Sequence, residues 1–432
     1  MNHFELREGQ LCCEAVPLAR IAADVGTPVY VYSTATLERH YRVFGQALHA
    51  HPALGEPLIA YAVKANSNVS VLATLGRLGA GADTVSEGEI RRAMAAGIPP
   101  GRIVFSGVGK TAAEIAFAID VGVAQINVES EPELRLIDAV AAGRGAKPTL
   151  CIRVNPDVGA GGHAKISTGR SASKFGVPMT QAPALYAWAA ARPHLRMAGL
   201  ACHIGSQITG LEPLEEAFGR MRGLALRLRA EGQVVERLDL GGGLGVPYFN
   251  QPDPPDPAAF AAMAARVVGG LAVELAFEPG RVIAANAGVL LASVIHVNAR
   301  PGGVTFVVLD AAMNDLIRPA MYEAYHDIRP VAPRTGDAVA CDVVGPVCES
   351  ADVFTQARPL APLHAGDLVA FMTAGAYGAV MSSEYNSRRL APEVLVNGQD
   401  FAVVRGRPSY EDMLARETPA PWLAPAHLAA AT

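Results

Sequence analysis

A parallel (β/α)8 TIM-like barrel joined to a C-terminal antiparallel β domain is the fold class the sequence predicts. Three observations predict it. From about residue 57, eight short apolar runs alternate with longer amphipathic stretches. After about residue 285, five strand-like runs follow one another without long helices between them. The chain has 432 residues, half of them hydrophobic, which exceeds one ordinary core and makes two domains the expectation.

The eight runs are PLIAYAV, GADTVS, RIVFSG, AQINVES, TLCIRVN, MAGLACHIGS, RLDLGGG and VELAFEPG. Each is followed by a helical pattern or a long connection, as a barrel requires; an open doubly wound sheet satisfies the same periodicity. Three helix starts carry a capping-box pattern: Ser86 with Glu89, Thr111 with Glu114, and Ser130 with Glu133. The later runs, VLLASVIHV, GVTFVVLD, AVACDVVG, LVAFMTAG and PEVLVNG, read as a β-sandwich or β-barrel domain. The early PVYVYS run is expected to join it. The expected limits are 1–35 for an N-terminal segment packing with the β domain and 36–285 for the barrel. Residues 286–415 then form the β domain and 416–432 a frayed tail.

Composition excludes several classes of function. With 36 basic and 41 acidic residues the net charge is −5, so no nucleic acid or anionic membrane is expected as partner. Charged residues are 18% of the chain, against about 25% in an average globular protein, which suggests surface hidden between subunits. The start, MNHFELREGQ, has no basic or apolar stretch, so no signal peptide is expected. The longest uncharged apolar run, Val282 to Val297, is interrupted by Asn286 and His296 and falls short of the ~20 residues of a membrane helix. The six cysteines are scattered without a CxxC pair, so neither a disulfide framework nor a metal site is expected, and a reducing cytoplasm fits.

Strand ends on one face of a barrel carry its chemistry. Here they hold Lys64, Asp83 with Ser86, Ser106, Glu129, Arg153 with Asn155, His203 with Ser206, Gly241 to Gly243, and Glu278 with Arg281. Lys64 directly follows an apolar strand, where desolvation is expected to lower its pKa and suit Schiff-base chemistry; a snorkelling lysine is the bland alternative. Three glycines after a strand can cradle a phosphate with bare N–H groups, although a tight turn needs them too. Ser206 can add a hydroxyl, and His203 can stack on a flat ring. Glu278 can hold a pyridine nitrogen protonated, and Arg281 can grip a carboxylate. The SGVGKT stretch around Lys110 imitates a P-loop, but its required first glycine would be Val104, and Thr111 reads as a helix cap.

YAVKAN, HIGSQ, LGGG, EPGR, GPVCESAD and GAYG occur together and in order, and this set resembles the fold-type III, pyridoxal 5′-phosphate-dependent decarboxylases of basic amino acids from about Thr27 to Asn397. The resemblance implies a cofactor-binding barrel, a β domain and a head-to-tail homodimer with active sites at the interface. It assigns Lys64 as the lysine linked to the cofactor, with His203 stacked on the ring. Ser206 with Gly241, Gly242 and Gly243 would hold the phosphate, Tyr377 would contact it, Gly280 and Arg281 would also bind the cofactor, and Glu278 would bond the ring nitrogen. Cys348, from the partner subunit, would be the acid that protonates the carbon losing CO2.

DAAMNDLIRPAMYEAYH is very similar to the branch acting on meso-diaminopimelate. In that branch Arg318, Tyr322, Arg281 and Tyr377 would bind the substrate, with Glu349 on its distal ammonium. The implied reaction gives L-lysine and CO2, the last step of lysine biosynthesis. Ornithine, lysine and arginine decarboxylases of the same fold are the alternative. Their substrates lack a distal carboxylate, and leaving an arginine fork without one costs about 2–5 kcal/mol. A non-catalytic relative would be expected to lose Lys64, Cys348 or Glu278. Arg389, Leu390 and Glu87 depart from the family pattern without touching these residues. The Gly159 to Gly162 stretch is the candidate lid from its composition and position.

Overall fold

The computed structural model describes residues 2–159, 173–248, 250 and 253–423. The chain opens with a small meander, β1 (Phe4–Arg7), β2 (Gln10–Cys13) and β3 (Val16–Pro17), followed by α1 (Leu18–Val25) and β4 (Val29–Ser33). Next come α2 (Thr34–His49), β5 (Leu58–Ala62), α3 (Val69–Gly76), β6 (Gly81–Thr84), α4 (Glu87–Ala95), β7 (Ile103–Phe105), α5 (Ala112–Val121), β8 (Gln125–Val128), α6 (Glu131–Arg144) and β9 (Thr149–Asn155). The sequence continues with β10 (Val177–Pro178), α7 (Ala182–Ala190), β11 (Arg196–Ala201), α8 (Glu212–Ala230), β12 (Arg237–Asp239), α9 (Pro257–Val268), β13 (Glu274–Phe277) and α10 (Arg281–Ala284).

All eight apolar runs became strands, and they close a parallel barrel in the order β5-β6-β7-β8-β9-β11-β12-β13. Closure is made by Ala276 opposite Leu58 and Phe277 opposite Ile59. The helices bury one stripe each: α8 turns Leu214, Phe218, Met221, Ala225 and Leu228 inward at helical spacing. Phe260 of α9 lies 5.8 Å from Phe44 of α2 and 6.1 Å from Phe218 of α8, joining three helices in one aromatic cluster. Burying each such ring contributes about 1.5–3 kcal/mol.

The predicted caps are all present, in two forms. Thr111 and Glu114 form the reciprocal box. Ser86 and Ser130 cap Glu89 and Glu133, but those acids reach one residue further back, to the N–H groups of Val85 and Glu129.

The remainder comprises β14 (Gly288–Ala299), β15 (Thr305–Leu309), α11 (Arg318–Tyr322), β16 (Ile328–Pro330), β17 (Val339–Val344), β18 (Val353–Leu360), β19 (Leu368–Phe371), β20 (Glu393–Asn397), β21 (Asp400–Arg405) and α12 (Tyr410–Leu414). The main sheet runs β18-β17-β15-β14-β4-β20-β21, with β19 pairing both β14 and β16. β4 therefore belongs to this sheet, as PVYVYS suggested. Most ladders are antiparallel, while β15 with β17 and β4 with β20 are parallel.

β4 is covered on both faces, which is why it reads as an unbroken apolar run. Tyr30 and Tyr32 point into the core shared with the barrel, whereas Val29 and Val31 point into a second core under β1 to β3 and α1. Among the described residues no helix is long and apolar enough to cross a membrane.

Candidate active site

Lys64 sits in the turn that follows β5. Its ammonium contacts the fully buried carboxylate of Asp83, at the end of the neighbouring β6. Burial alone would lower the lysine pKa, but Asp83 and Glu278 more than reverse it, and the net shift is upward. This corrects the expectation of a lysine lowered by desolvation: the next strand brings a counter-ion. The β domain fixes the same turn. Tyr377 N–H donates to Ala65 O at 2.8 Å, and the Asn66 amide donates to Gly375 O at 3.0 Å.

The glycine turn after β12 lies between HIGSQ and EPGR. Glu278 N–H donates to Gly241 O at 2.8 Å, and Gly242 N–H donates to His203 Nδ1 at 3.2 Å. A Cβ on Gly242 would stand 2.2 Å from Glu278 O, so only glycine lets this turn approach β13 so closely. His203 is held well below the usual histidine pKa by burial, with Arg153 and Lys64 adding to it, and is neutral. Gly280 packs against the Lys64 turn, where an added Cβ would lie 3.0 Å from that of Ala62.

Arg281 opens α10 and reaches back across the mouth. Its Nε and Nη2 donate to Ser206 Oγ at 3.2 and 3.0 Å, and its Nη1 donates to the Tyr248 hydroxyl at 2.8 Å. Its guanidinium also lies over the Tyr377 ring, 4.7 Å from the centroid. Arg318, at the start of α11, covers the other side of Tyr248, 5.1 Å from that ring's centroid. Burial would raise the Tyr248 phenol, but Arg281 and Arg318 outweigh it and bring it below the usual tyrosine value. Tyr322 lies close enough to Arg281 to interact with its charge. Among the described residues, no carboxylate pairs with either arginine.

The fold thus brings together Lys64, His203, Ser206, Gly241 to Gly243, Glu278, Gly280, Arg281, Arg318, Tyr322 and Tyr377. Cys348 and Glu349 are exposed on the turn between β17 and β18, where Cys348 N–H donates to Asn386 Oδ1 at 2.9 Å. Asp352 ties that turn to the start of the Arg318 segment, accepting from Met313 N–H and Val347 N–H at 2.7 Å each. Sequence reading assigned no role to Asp83, Tyr248 or His326. Asp83 was visible as an acid inside an apolar run, and His326 closes a quoted motif; nothing local marked Tyr248.

The resemblance to a P-loop dissolves here. Lys110 is buried, and its ammonium donates to Gly107 O, Asn127 O and Glu133 Oε1 at 2.7, 2.7 and 2.9 Å, which uses all three protons. Arg389 stacks over Tyr410, and Glu87 pairs with Arg91 on α4. Of the candidate lid, residues 160–162 lie outside the described residues. Among the described residues no group of three or more His, Cys, Asp or Glu could hold a metal ion.

Residues 34–285 match the family model for the pyridoxal binding domain of pyridoxal-dependent decarboxylases. The chain belongs to the pyridoxal-dependent decarboxylase family. Within that family it is 48% identical to the diaminopimelate decarboxylase of Zymomonas mobilis, over 98% of this chain and 100% of that one. It superposes on the diaminopimelate decarboxylase of M. jannaschii in complex with L-lysine at a TM-score of 0.92. The identity there is 34%, covering 98% of this chain and all of that one. A lysine/ornithine decarboxylase from Vibrio vulnificus, with putrescine, shares the fold alone: TM-score 0.77 and 24% identity, covering 88% of this chain and 97% of that one.

The residues present fit the family's cofactor, pyridoxal 5′-phosphate. Glu278 Oε1 is a buried acceptor with no partner, chemically suited to a ring N–H. The glycine turn and Ser206 offer donors to a phosphate, and Lys64 supplies the amine.

Proposed function

We propose that this decarboxylase converts meso-2,6-diaminopimelate to L-lysine and CO2, and that the residues above do so in the following roles. One observation carries the substrate reading. Arg281 and Arg318 are two buried guanidiniums on either side of Tyr248 with only neutral partners, and a dicarboxylate supplies the anion they lack. Ornithine and lysine would leave that fork empty.

Bound pyridoxal 5′-phosphate supplies the electron sink for the pair released when the Cα–carboxylate bond breaks. Lys64 holds the cofactor, and Asp83 receives the Lys64 ammonium when the substrate amine takes its place. His203, neutral and fixed through Nδ1, presents a flat uncharged face to the ring. Ser206, Gly241 to Gly243 and Tyr377 hold the phosphate, Gly280 and Arg281 border the cofactor, and Glu278 meets the ring nitrogen. Arg318, Tyr322 and Arg281 grip the distal carboxylate, which orients the reacting end.

The proton for Cα comes from the Cys348 thiol of a second copy of the chain, and Glu349 of that copy meets the distal ammonium. Their exposure on the β domain supports a homodimer with shared sites. Residues 36–285 serve as the cofactor-binding unit and 286–415 as the β domain. Six unpaired cysteines support a reducing, cytoplasmic setting.

The test measures lysine and CO2 release by the cofactor-loaded protein with meso-diaminopimelate, L-ornithine, L-lysine and L-arginine side by side. Strong preference for meso-diaminopimelate is expected. Preference for a monocarboxylate would overturn the reading of the distal fork.

A further inference from the structure

Tyr248 is buried shortly after the glycine turn, and the roles above leave it unassigned. The HIGSQ segment pins the loop that carries it. Ile208 N–H donates to Gly243 O at 2.9 Å and Gly245 N–H donates to Ile208 O at 3.1 Å, a short parallel bridge between the two segments. The Gln207 side-chain amide then grips Val246 twice, donating to its carbonyl at 2.7 Å and accepting from its N–H at 3.2 Å. At the far end of the loop the His326 ring stands nearly perpendicular to the Tyr248 ring, with centroids 5.8 Å apart and planes at 85°. The glycine turn and Tyr248 therefore share one fixed stretch of backbone.

We infer that Tyr248 is a positioning residue for the distal carboxylate: one neutral side chain holds Arg281 by its hydroxyl and Arg318 by its ring face, and so sets the gap between the two guanidiniums. Arg281 Nη1 donates to the hydroxyl at 2.8 Å, and the Arg318 guanidinium lies 5.1 Å from the ring centroid. Two buried cations repel each other where little water screens them. A phenol is suited to stand between them, because its oxygen accepts an N–H and its π face attracts a cation. An acid in its place would neutralise the charge that a substrate carboxylate needs. An aliphatic residue would give Arg281 no acceptor.

The contacts of Arg281 with Ser206 and Tyr248 leave it N–H groups to spare for a ligand. Because Tyr248 is tied to the glycine turn, the fork keeps a set separation from the phosphate donors, which favours a substrate whose second carboxylate reaches that distance. The inference rests on the distal-fork reading above.

Kinetics of cofactor-loaded Tyr248→Phe and Tyr248→Leu test it, with meso-diaminopimelate as substrate and cadaverine as competitive inhibitor. Cadaverine keeps both amines of meso-diaminopimelate and lacks both carboxylates. Tyr248→Phe keeps the ring face for Arg318 and removes the acceptor from Arg281. Its KM for meso-diaminopimelate should rise about tenfold or more, with kcat within about threefold of wild type. Tyr248→Leu removes the ring face as well, and KM should rise by a further factor of roughly 2 to 30. The inhibition constant of cadaverine should stay within about threefold of wild type in both variants, since cadaverine offers the fork nothing.

A role in packing alone would lower the folded yield or kcat and leave KM in place. An unchanged KM in Tyr248→Phe would overturn the proposal, as would equal weakening of meso-diaminopimelate and cadaverine. Should Tyr248→Leu fail to fold, Tyr248→Phe decides alone. Wild-type preference for meso-diaminopimelate with an unchanged KM in Tyr248→Phe would sink the role of Tyr248 and leave the function standing. Wild-type preference for a monocarboxylate would sink both.

Discussion

Arg318 Nη1 donates to His326 Nε2 at 2.9 Å, and His326 Nδ1 donates to Met372 O at 2.9 Å. The carbonyl fixes the tautomer: Nδ1 must carry the proton, so Nε2 must accept. His326 therefore aims a buried arginine without adding charge.

Replacing His326 should loosen that aim. His326→Ala is expected to raise KM for meso-diaminopimelate by roughly 10- to 100-fold, the ~1.5–3 kcal/mol of a hydrogen bond to a charged group. His326→Gln, which offers both a donor and an acceptor, should recover part of the loss. Equal KM values in wild type and His326→Ala would remove His326 from the aiming of Arg318.

The same histidine makes stability depend on pH. Burial, with the neighbouring Arg318, depresses its pKa from 6.5 to about 3. Between those values the unfolded chain binds a proton that the folded chain refuses. Its contribution to stability is therefore complete above 6.5 and is lost as pH falls toward 3. The thermal midpoint of the wild type should decline through that window more steeply than that of His326→Gln. Parallel curves would sink this account.

Arg318→Ala should weaken meso-diaminopimelate far more than L-lysine, because only the former has a second carboxylate for the fork. The expected penalty is about 2–5 kcal/mol in kcat/KM for meso-diaminopimelate. Inhibition constants for L-lysine should change little, and an equal effect on both ligands would argue against the fork.

Cys348 and Lys64 should complement each other across a dimer. Cys348→Ala should keep its cofactor but lose productive turnover, and Lys64→Ala should be inactive. Equal mixing of the two variants, unfolded and refolded together, places one intact site in each mixed dimer. About a quarter of wild-type activity should return. Inactivity of the mixture would count against sites shared between subunits.

Lys110 should matter for stability and not for chemistry. Lys110→Met leaves Glu133 buried without its cation, an expected loss of about 3–5 kcal/mol in unfolding free energy. KM for meso-diaminopimelate should stay near that of the wild type in the fraction that folds.

The sequence by itself determined the eight barrel runs, the capped helix starts, the β domain and the order of YAVKAN, HIGSQ, LGGG and EPGR. These follow from neighbours in the chain: apolar alternation, a serine three residues before a glutamate, and glycines where the backbone must turn. Only the tertiary structure decided the charge state of Lys64, because Asp83 arrives from the next strand and reverses the effect of burial. It also set Tyr248 between Arg281 and Arg318 and placed His326 behind Arg318. A proton's affinity depends on burial and on charges within a few ångströms, and those charges come from segments tens to hundreds of residues away. Local pattern reveals which groups reach the mouth of the barrel; packing decides which of them are charged.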